Sequence, residues 1–341
     1  MKWLICAGFL ILCIHIPFQV IGQELQQKVN GISIRSDLER RSEKDFQFVE
    51  ASNASWVSFQ PYGVITEDSA GVDFDIDTLW ECTSFEGLKS NISISKKLGY
   101  AVFVKPHVIV GYKKSGAWVG DLKLGRESNW DKLKSTYRDY LVRLAQLSDS
   151  LDVDLLSLGT EIKELPSEDS LYWQELIDTV RTVYSGKITY CANFDAYESY
   201  PFWSQMDYIG IDAYFSITNQ KNADLNDCRE AWIPIANRIK RISEEFDKKV
   251  LFTEFGYMSV DHCAHQPFEQ QSGNVNLVAQ ANAYRAVFDT FWHQPWFAGG
   301  FSWRWYFDNN EVESYDNPYY TPQHKPAGNI VAKYYLRYRY Y

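Results

Sequence analysis

Two glutamates stand at the ends of apolar runs and could act as a pair of catalytic carboxyl groups. Glu161 closes the run 154–160, while Glu254 follows the run 250–253 and precedes Gly256. A carboxylate at the mouth of a buried strand is costly to desolvate unless it has a function. Two carboxyl groups that face one another suit acid–base and nucleophilic chemistry, because one can hold a proton while the other stays ionised.

The elements that must position this pair are strands that alternate with helices. Strand-like runs recur along the chain, and helices are predicted at 85–98, 130–148, 172–184, 232–246 and 277–292. The alternation predicts an α/β fold, a single (β/α)8 barrel. An open doubly wound sheet is the alternative, but no glycine-rich phosphate loop follows the first strand. The predicted strands are 30–34, 54–60, 100–107, 154–160, 187–193, 206–214, 250–254 and 298–305.

In such a barrel the carboxyl ends of the strands share one face, where active sites lie. Polar and aromatic residues are concentrated at these predicted ends, and the long insertions 108–129 and 257–276 are expected to shape a cleft there. Trp303 and Trp305 lie two positions apart along one strand, so only one of them is expected to point inward at a given layer. The strand-end residues are Lys105, His107, Glu161, Asn193, Asp195, Asp212, Tyr214, Glu254, Trp303 and Trp305.

The first residues predict export from the cell. Lys2, an apolar run over 4–16 and small or aliphatic residues at 20–22 are typical of a secretory signal peptide. We therefore expect a signal peptide at 1–22, a catalytic domain at 23–341, and a secreted or periplasmic protein. An uncleaved membrane anchor is the alternative, although the apolar core is short for a span.

Charge and cysteine content limit the partners, metal sites and disulfides that can be expected. The net charge of −10 argues against nucleic acid, and against a membrane as partner of the mature chain. None of the cysteines after the signal peptide forms a CxxC pair, so no zinc site is expected. One or two disulfides could form after export, but Cys191 lies in a predicted strand and is expected to be a buried free thiol. These four cysteines are Cys82, Cys191, Cys228 and Cys263.

Aromatic residues make up 16% of the chain, with 12 Trp and 23 Tyr. They could form a large aromatic core, or many of the rings could line a groove. Sugars present apolar C–H faces that pack on Trp and Tyr, while their hydroxyls need polar side chains nearby. An acidic, exported, aromatic-rich chain therefore favours a carbohydrate-active protein.

Several stretches, taken in their order along the chain, resemble glycoside hydrolase family 113. This is the β-1,4-mannanase family of the retaining clan that carries both catalytic glutamates on strands four and seven. The wider clan usually has Asn before its acid/base glutamate, whereas Thr160 stands there in this chain. The matching stretches are Lys105-Pro-His107 with Trp118, Gly159-Thr-Glu161, Tyr190-Cys-Ala-Asn193, Asp207-Tyr-Ile-Gly-Ile-Asp-Ala-Tyr214, Thr253-Glu-Phe-Gly-Tyr257 and Gly300-Phe-Ser-Trp-Arg-Trp305.

The resemblance implies cleavage of β-1,4-mannosidic bonds in mannan or manno-oligosaccharides by double displacement. Glu161 would be the acid/base, Glu254 the nucleophile, and Tyr214 would donate its hydroxyl to Glu254. Lys105, His107 and Asn193 would hold sugar hydroxyls. A tryptophan platform would lie beneath the sugar, with Trp303, Trp305 and Trp118 as candidates.

The expected partner is a β-linked polysaccharide or oligosaccharide, with no cofactor and no metal, and we expect a monomer. The residues Asp261, His262 and His265 lie in a predicted loop without a further clear metal ligand. Two other functions remain open at this stage. One is a related retaining β-glycosidase for another β-linked polysaccharide, and the other is a carbohydrate-binding barrel that has lost catalysis.

Overall fold

The computed structural model describes residues 27–35, 39–65, 71–74, 84–110, 118–121, 127–307, 312 and 315–339. The predicted signal peptide, Cys82 and parts of the insertion 108–129 lie outside these residues. None of the helices within the described ranges is both long and apolar enough to cross a membrane.

Eight parallel strands close into a barrel, which confirms the predicted (β/α)8 fold. Each strand pairs with the next along the chain, and the first pairs with the last. Most of their residues are buried, because one face packs inside the barrel and the other against helices. The strands are β1 (Val29–Ile34), β2 (Trp56–Phe59), β3 (Ala101–Val104), β4 (Leu155–Thr160), β5 (Lys187–Asn193), β6 (Ile209–Asp212), β7 (Val250–Phe255) and β8 (Phe297–Trp305).

Helices surround the barrel, and their apolar stripes face it. In α3, the residues Leu133, Tyr137, Leu141 and Leu144 recur at the helical spacing and are all buried. The predicted helix at 232–246 begins earlier, where the Asp224 side chain accepts a hydrogen bond from the first turn. The helices are α1 (Gln47–Ala51), α2 (Phe85–Lys97), α3 (Glu127–Ser150), α4 (Glu164–Glu168), α5 (Ser170–Val183), α6 (Leu225–Phe246), α7 (Leu277–Phe291) and α8 (Pro326–Arg337).

The predicted third strand, 100–107, is in fact divided between two sheets. β3 ends at Val104, and His107–Val110 pairs instead with Tyr62–Ile65 in a separate three-stranded sheet. Pro106 stands between the two segments and has no N–H to donate to a ladder, so the chain leaves the barrel there. The change of sheet gives Lys105 and His107 different surroundings, although they are only two positions apart in the sequence.

The closing pair, β1 and β8, requires a close approach of two backbones. Gly299 has a φ of +130°, and a Cβ there would lie 2.2 Å from the carbonyl oxygen of Val29. Helix α8, which the sequence analysis did not predict, covers this seam. Its Tyr335 hydroxyl donates to the carbonyl of Gly31 at 2.6 Å, and the Asn30 amide donates to the Tyr335 carbonyl at 3.1 Å.

The apolar core has two parts. The larger part lies between the barrel and its helices, and the smaller one is made of strand residues such as Phe103, Leu155 and Leu251. Cys191 belongs to the smaller cluster and is a buried free thiol, as predicted. Cys228 and Cys263 are also buried and free, so no disulfide joins the cysteines that the structure describes.

Candidate active site

A cavity of about 660 Å³ lies at the carboxyl ends of the strands, between the loops that follow them. Both strand-end glutamates line it, together with aromatic rings and short polar side chains. This mixture suits a hydroxylated ring with apolar faces. The lining residues are His107, Trp118, Glu161, Asn193, Phe194, Asp195, Asp212, Tyr214, Glu254, Phe268, Glu269, Gln270, Trp303 and Tyr320.

Glu254 reaches the cavity because β7 is irregular near its end. The register of β7 shifts after Phe252 against both neighbouring strands. In a regular strand Thr253 and Glu254 would point to opposite faces. Here the Thr253 hydroxyl donates to Asp212 Oδ1 at 2.8 Å, while Glu254 lines the cavity. The irregularity therefore brings both side chains to the same site, as bulges near active sites commonly do.

The Glu254 carboxylate is held at both oxygens. The Tyr214 hydroxyl donates to Oε2 at 2.6 Å, which is the hydrogen bond that the sequence analysis expected. Lys105 donates from Nζ to Oε1, and its ammonium also contacts Asp212 Oδ1 at 2.8 Å. Two donors, one of them charged, favour the ionised form of this carboxyl and restrict its orientation.

Glu161 is positioned by the turn that follows β4. Its φ is +56°, a left-handed conformation that costs a non-glycine residue about 1–3 kcal/mol and is typical of functional sites. Its backbone N–H still donates to the Cys191 carbonyl on β5 at 2.9 Å. The indole N–H of Trp118 donates to Glu161 Oε2 at 2.6 Å. A strand partner and a loop partner thus hold this carboxyl group in place.

A polar network continues outward from Trp118. The Lys163 ammonium lies 4.6 Å from the centroid of the Trp118 ring, which is a cation–π contact. Lys163 also pairs with Asp195 at 2.8 Å, and Asp195 accepts a hydrogen bond from the Asn193 amide at 2.8 Å. The network links Asn193 to Trp118, which is the hydrogen-bond partner of Glu161.

The surroundings of the two glutamates affect their pKa values differently. Burial raises the pKa of Glu161 to about 8, and the negative charges of Asp212 and Glu254 add to the rise. Burial also raises the pKa of Glu254, but Lys105 and Tyr214 act against that rise through charge and hydrogen bonds. Glu161 is therefore the carboxyl group that keeps its proton to higher pH, and Glu254 is the one that ionises first.

His107 faces Glu254 from the side of the small sheet. Its Nε2 lies 3.6 Å from Glu254 Oε1 and has no hydrogen-bond partner among the described residues. Burial and the Lys105 charge lower the pKa of His107 well below its usual value, so the ring is neutral. The ring lies nearly parallel to that of Trp303, with centroids 6.4 Å apart. His107 and Trp303 therefore form one wall of the cavity.

Two of the predicted binding residues lie elsewhere. Lys105 is completely buried beneath Glu254 and has no surface with which to meet a sugar. Trp305 is 4% exposed, stacks on Phe48 with centroids 6.3 Å apart, and donates its N–H to Ser302. Of the two tryptophans of strand β8, Trp303 is therefore the one that lines the cavity.

Several lining residues come from loops and escaped the sequence analysis. Phe268, Glu269 and Gln270 belong to the insertion after β7, and Tyr320 to the segment before α8. The Tyr320 hydroxyl donates to the carbonyl of Pro267 and lies 3.2 Å from that of Glu269, so the two segments form a single wall. The insertion itself was predicted to shape the cleft, but nothing in its spacing singled out these residues.

A second cavity of about 260 Å³ adjoins the first on the side of Glu161. Glu161, Asn193 and Asp195 line both cavities, whereas Glu254 lines only the larger one. The Lys163–Asp195 ion pair lies at the boundary between them. Space therefore exists on both sides of Glu161.

No group of three or more His, Cys, Asp or Glu residues suited to a metal occurs in the described ranges. In the loop considered above, Asp261 accepts hydrogen bonds from Asn274 and Asn276. His262 bonds to the carbonyl of Asn219 through Nδ1. Asp261 therefore has structural partners within its own loop, and His262 has one in the loop that follows β6.

A (β/α)8 barrel that carries paired carboxyl groups and aromatic rings at the carboxyl ends of its strands is an architecture of carbohydrate-active enzymes. The profile of Glycoside Hydrolase Family 113 matches residues 34–325. The chain belongs to this family, as its motifs suggested, and it is a glycoside hydrolase.

Solved structures agree with this fold. A GH113 β-mannanase from Alicyclobacillus acidocaldarius, in complex with ManMIm, superposes with a TM-score of 0.77 at 21% identity, covering 92% of this chain and 98% of that one. A GH113 β-1,4-mannanase complex gives 0.76 at 22% identity, with 91% and 99% covered. A β-glucuronidase from Faecalibacterium prausnitzii gives 0.61 at 16% identity, with 91% and 49% covered. No curated protein matches the chain.

Proposed function

We propose that the protein is a retaining β-mannanase, which cleaves β-1,4-mannosidic bonds in mannan or manno-oligosaccharides. Two similar structures of the same family are described as β-mannanases, and this supports the choice of substrate. The mechanism rests on one observation: of the two strand-end glutamates that line the cavity, only Glu254 is bonded to both an ammonium and a phenol.

In the first step Glu254 is the nucleophile and Glu161 the acid. A Glu254 oxygen forms a bond to the anomeric carbon while the bond to the leaving oxygen breaks. Glu161, which burial keeps protonated, gives its proton to that oxygen as it departs. The products of this step are a glycosyl–enzyme ester on Glu254 and a leaving sugar with a free hydroxyl.

In the second step Glu161 acts as a base instead of an acid. The carboxylate left by proton transfer accepts a proton from water, which attacks the anomeric carbon on the face where the leaving group stood. The ester bond breaks and Glu254 leaves as a carboxylate. Two displacements at one carbon retain its configuration.

The surrounding side chains suit sugar binding around this centre. Trp303 and Trp118 offer apolar faces, while Asn193 and His107 offer polar atoms within the cavity. The second cavity touches Glu161 but not Glu254, so we assign it to the leaving-group side of the cleavage point. Space on both sides of the scissile bond supports cleavage within a chain.

The substrate is tested by reducing-sugar release from mannan, glucan and xylan. We expect release from mannan; preferential release from glucan or xylan would replace mannan with another β-linked polysaccharide. The mechanism is tested by following the anomeric configuration of the first product by NMR. Retention is expected, and inversion would rule out double displacement.

Two substitutions test the roles of the glutamates. Glu254→Gln should lose nearly all turnover while keeping its circular dichroism spectrum. Glu161→Ala should be slow, and azide should partly restore it on an aryl glycoside with a good leaving group, because azide needs no base to attack the ester. Normal hydrolysis by Glu254→Gln would remove Glu254 from the nucleophile role.

A further inference from the structure

We propose that Lys105 and Asp212 form a buried ion pair in which Lys105 is the counter-ion of the nucleophile Glu254, and Asp212 keeps Lys105 paired while Glu254 is an ester. They would be positioning residues that act through Glu254, and neither would bind the sugar by its charge. The inference rests on the double-displacement function proposed above and adds a role that the family motifs did not suggest for Lys105.

The geometry joins three charged groups below the cavity. The Lys105 side chain has 0% exposure, and Nζ contacts Asp212 Oδ1 at 2.8 Å as well as Glu254 Oε1. The Asp212 side chain is 1% exposed and is further held by the Thr253 hydroxyl at 2.8 Å. An ammonium has three N–H donors, and two of them are used on these carboxylates.

The charges of this trio change during the proposed reaction. With Glu254 ionised, one ammonium faces two carboxylates, and the sum is −1. When Glu254 becomes an ester to the sugar it loses its charge, and Lys105 is then balanced by Asp212 alone. A buried ion that loses its partner is strongly destabilised. Asp212 therefore prevents Lys105 from becoming an unpaired buried cation in the glycosyl–enzyme.

Other titratable groups that face the trio do not take over this task. His107 is neutral, since burial and the Lys105 charge lower its pKa. Burial raises the pKa of the Cys191 thiol to about 12, and burial likewise raises that of the Tyr214 phenol, so both stay protonated. Glu161 becomes a carboxylate as the glycosyl–enzyme forms, but it is hydrogen-bonded to Trp118, whereas Lys105 contacts Asp212 and Glu254. Among these groups Lys105 is thus the cation that faces the two carboxylates.

Removing Lys105 and removing Asp212 should shift the pKa of Glu254 in opposite directions. Lys105→Met leaves two like charges together, so the pKa of Glu254 rises and the acid limb of kcat/KM moves up by about 1–3 pH units. Asp212→Asn keeps an oxygen for Lys105 and Thr253 but removes the competing negative charge. The acid limb then moves to lower pH.

The two variants should also differ in which step they slow. In Lys105→Met, departure of Glu254 as a carboxylate loses its counter-ion, so the intermediate accumulates and a burst of dinitrophenolate appears from dinitrophenyl β-mannobioside. In Asp212→Asn, the intermediate contains an unpaired ammonium. Its formation slows by about 10²-fold or more, and no burst appears.

The experiment measures pH profiles and pre-steady-state bursts for wild type and both variants with this substrate. Opposite shifts of the acid limb are expected. Shifts in the same direction, or lower activity with unshifted limbs, would reduce the pair to a structural role. Asp212→Asn is nearly isosteric, so it keeps the test valid if Lys105→Met does not fold. Failure of the proposed function would appear separately, as inversion or absence of hydrolysis in the wild type.

Discussion

The indole N–H of Trp118 lies 2.6 Å from Glu161 Oε2 and donates to it. Trp118 belongs to the insertion after β3, whereas Glu161 follows β4, so the proposed proton donor is held by a loop from a neighbouring unit of the barrel. The bond favours the ionised carboxylate and therefore opposes the rise in pKa that burial causes at Glu161. Trp118 thus lowers the pKa of the proposed proton donor as well as lining the cavity.

Trp118→Phe should lower kcat/KM by about 10–100-fold, because a hydrogen bond to a charged group contributes about 1.5–3 kcal/mol. Without the indole N–H the pKa of Glu161 rises further, so the alkaline limb of the pH profile should move to higher pH. Trp296→Phe, at the opposite end of the barrel, is the matched control. An alkaline limb that stays in place would mean that the bond does not tune the proton donor.

Tyr214→Phe removes one of the two donors to Glu254 while keeping the ring. We expect kcat to fall by about 10²-fold, similar to the loss of one donor at other charged reaction centres. Because the lost bond lowered the pKa of Glu254, the acid limb should move to higher pH. Tyr184→Phe also deletes a buried hydroxyl, which donates to the Val153 carbonyl at 2.8 Å far from the cavity. This control should change thermal stability and leave the limb in place.

Trp303→Ala and Trp305→Ala should fail in different ways. Trp303 lines the cavity, so its loss should raise KM for mannotetraose by about tenfold or more through lost stacking area. Trp305 packs on Phe48 inside the core, so its loss should cost about 3–5 kcal/mol of unfolding free energy. Urea unfolding and oligosaccharide kinetics separate the two effects. Equal losses of stability would contradict this distinction.

Glu161→Gln should raise the melting temperature at neutral and alkaline pH. The pKa of Glu161 is about 8 in the folded protein against a usual 4.5, so the fold takes up a proton that the unfolded chain has released. This uptake costs progressively more stability as pH rises from about 4.5 to about 8. Glutamine avoids the cost.

The difference in melting temperature between Glu161→Gln and the wild type should therefore be small at acid pH, grow through this window and then level off. Differential scanning calorimetry across pH measures it, with Glu244→Gln on the exposed surface of α6 as the matched control. A difference in melting temperature that does not change with pH would show that folding does not raise the pKa of Glu161.

The barrel and the glutamate pair could be predicted because they depend on local patterns. Apolar runs that end in polar residues define strands β4 and β7, and Glu161 and Glu254 lie at their ends as expected. The position of Lys105 could not be obtained in this way. Strand alternation does not show where Pro106 sends the chain into a second sheet, nor that the register of β7 shifts after Phe252.

The remaining differences between the predicted and the observed structure have similar causes. Alternation left Trp303 and Trp305 equivalent, and the choice between them depends on Phe48, far away in the sequence. Phe268 and Tyr320 lie in loops, where no periodicity marks a lining residue. Helix α8 did carry a usable signal, since Pro326 stands at its first turn and Ala327, Val331 and Tyr335 recur every four residues on its buried face.

The seam between β1 and β8 has a consequence for how the chain reaches its fold. Val29 pairs with Gly299, so β1 has an open edge until the whole of the intervening chain has been synthesised. Contacts of such sequence separation form slowly, because a very large loop must close first. A partly made chain therefore presents an unpaired strand edge, which is prone to edge-to-edge association until β8 pairs with it.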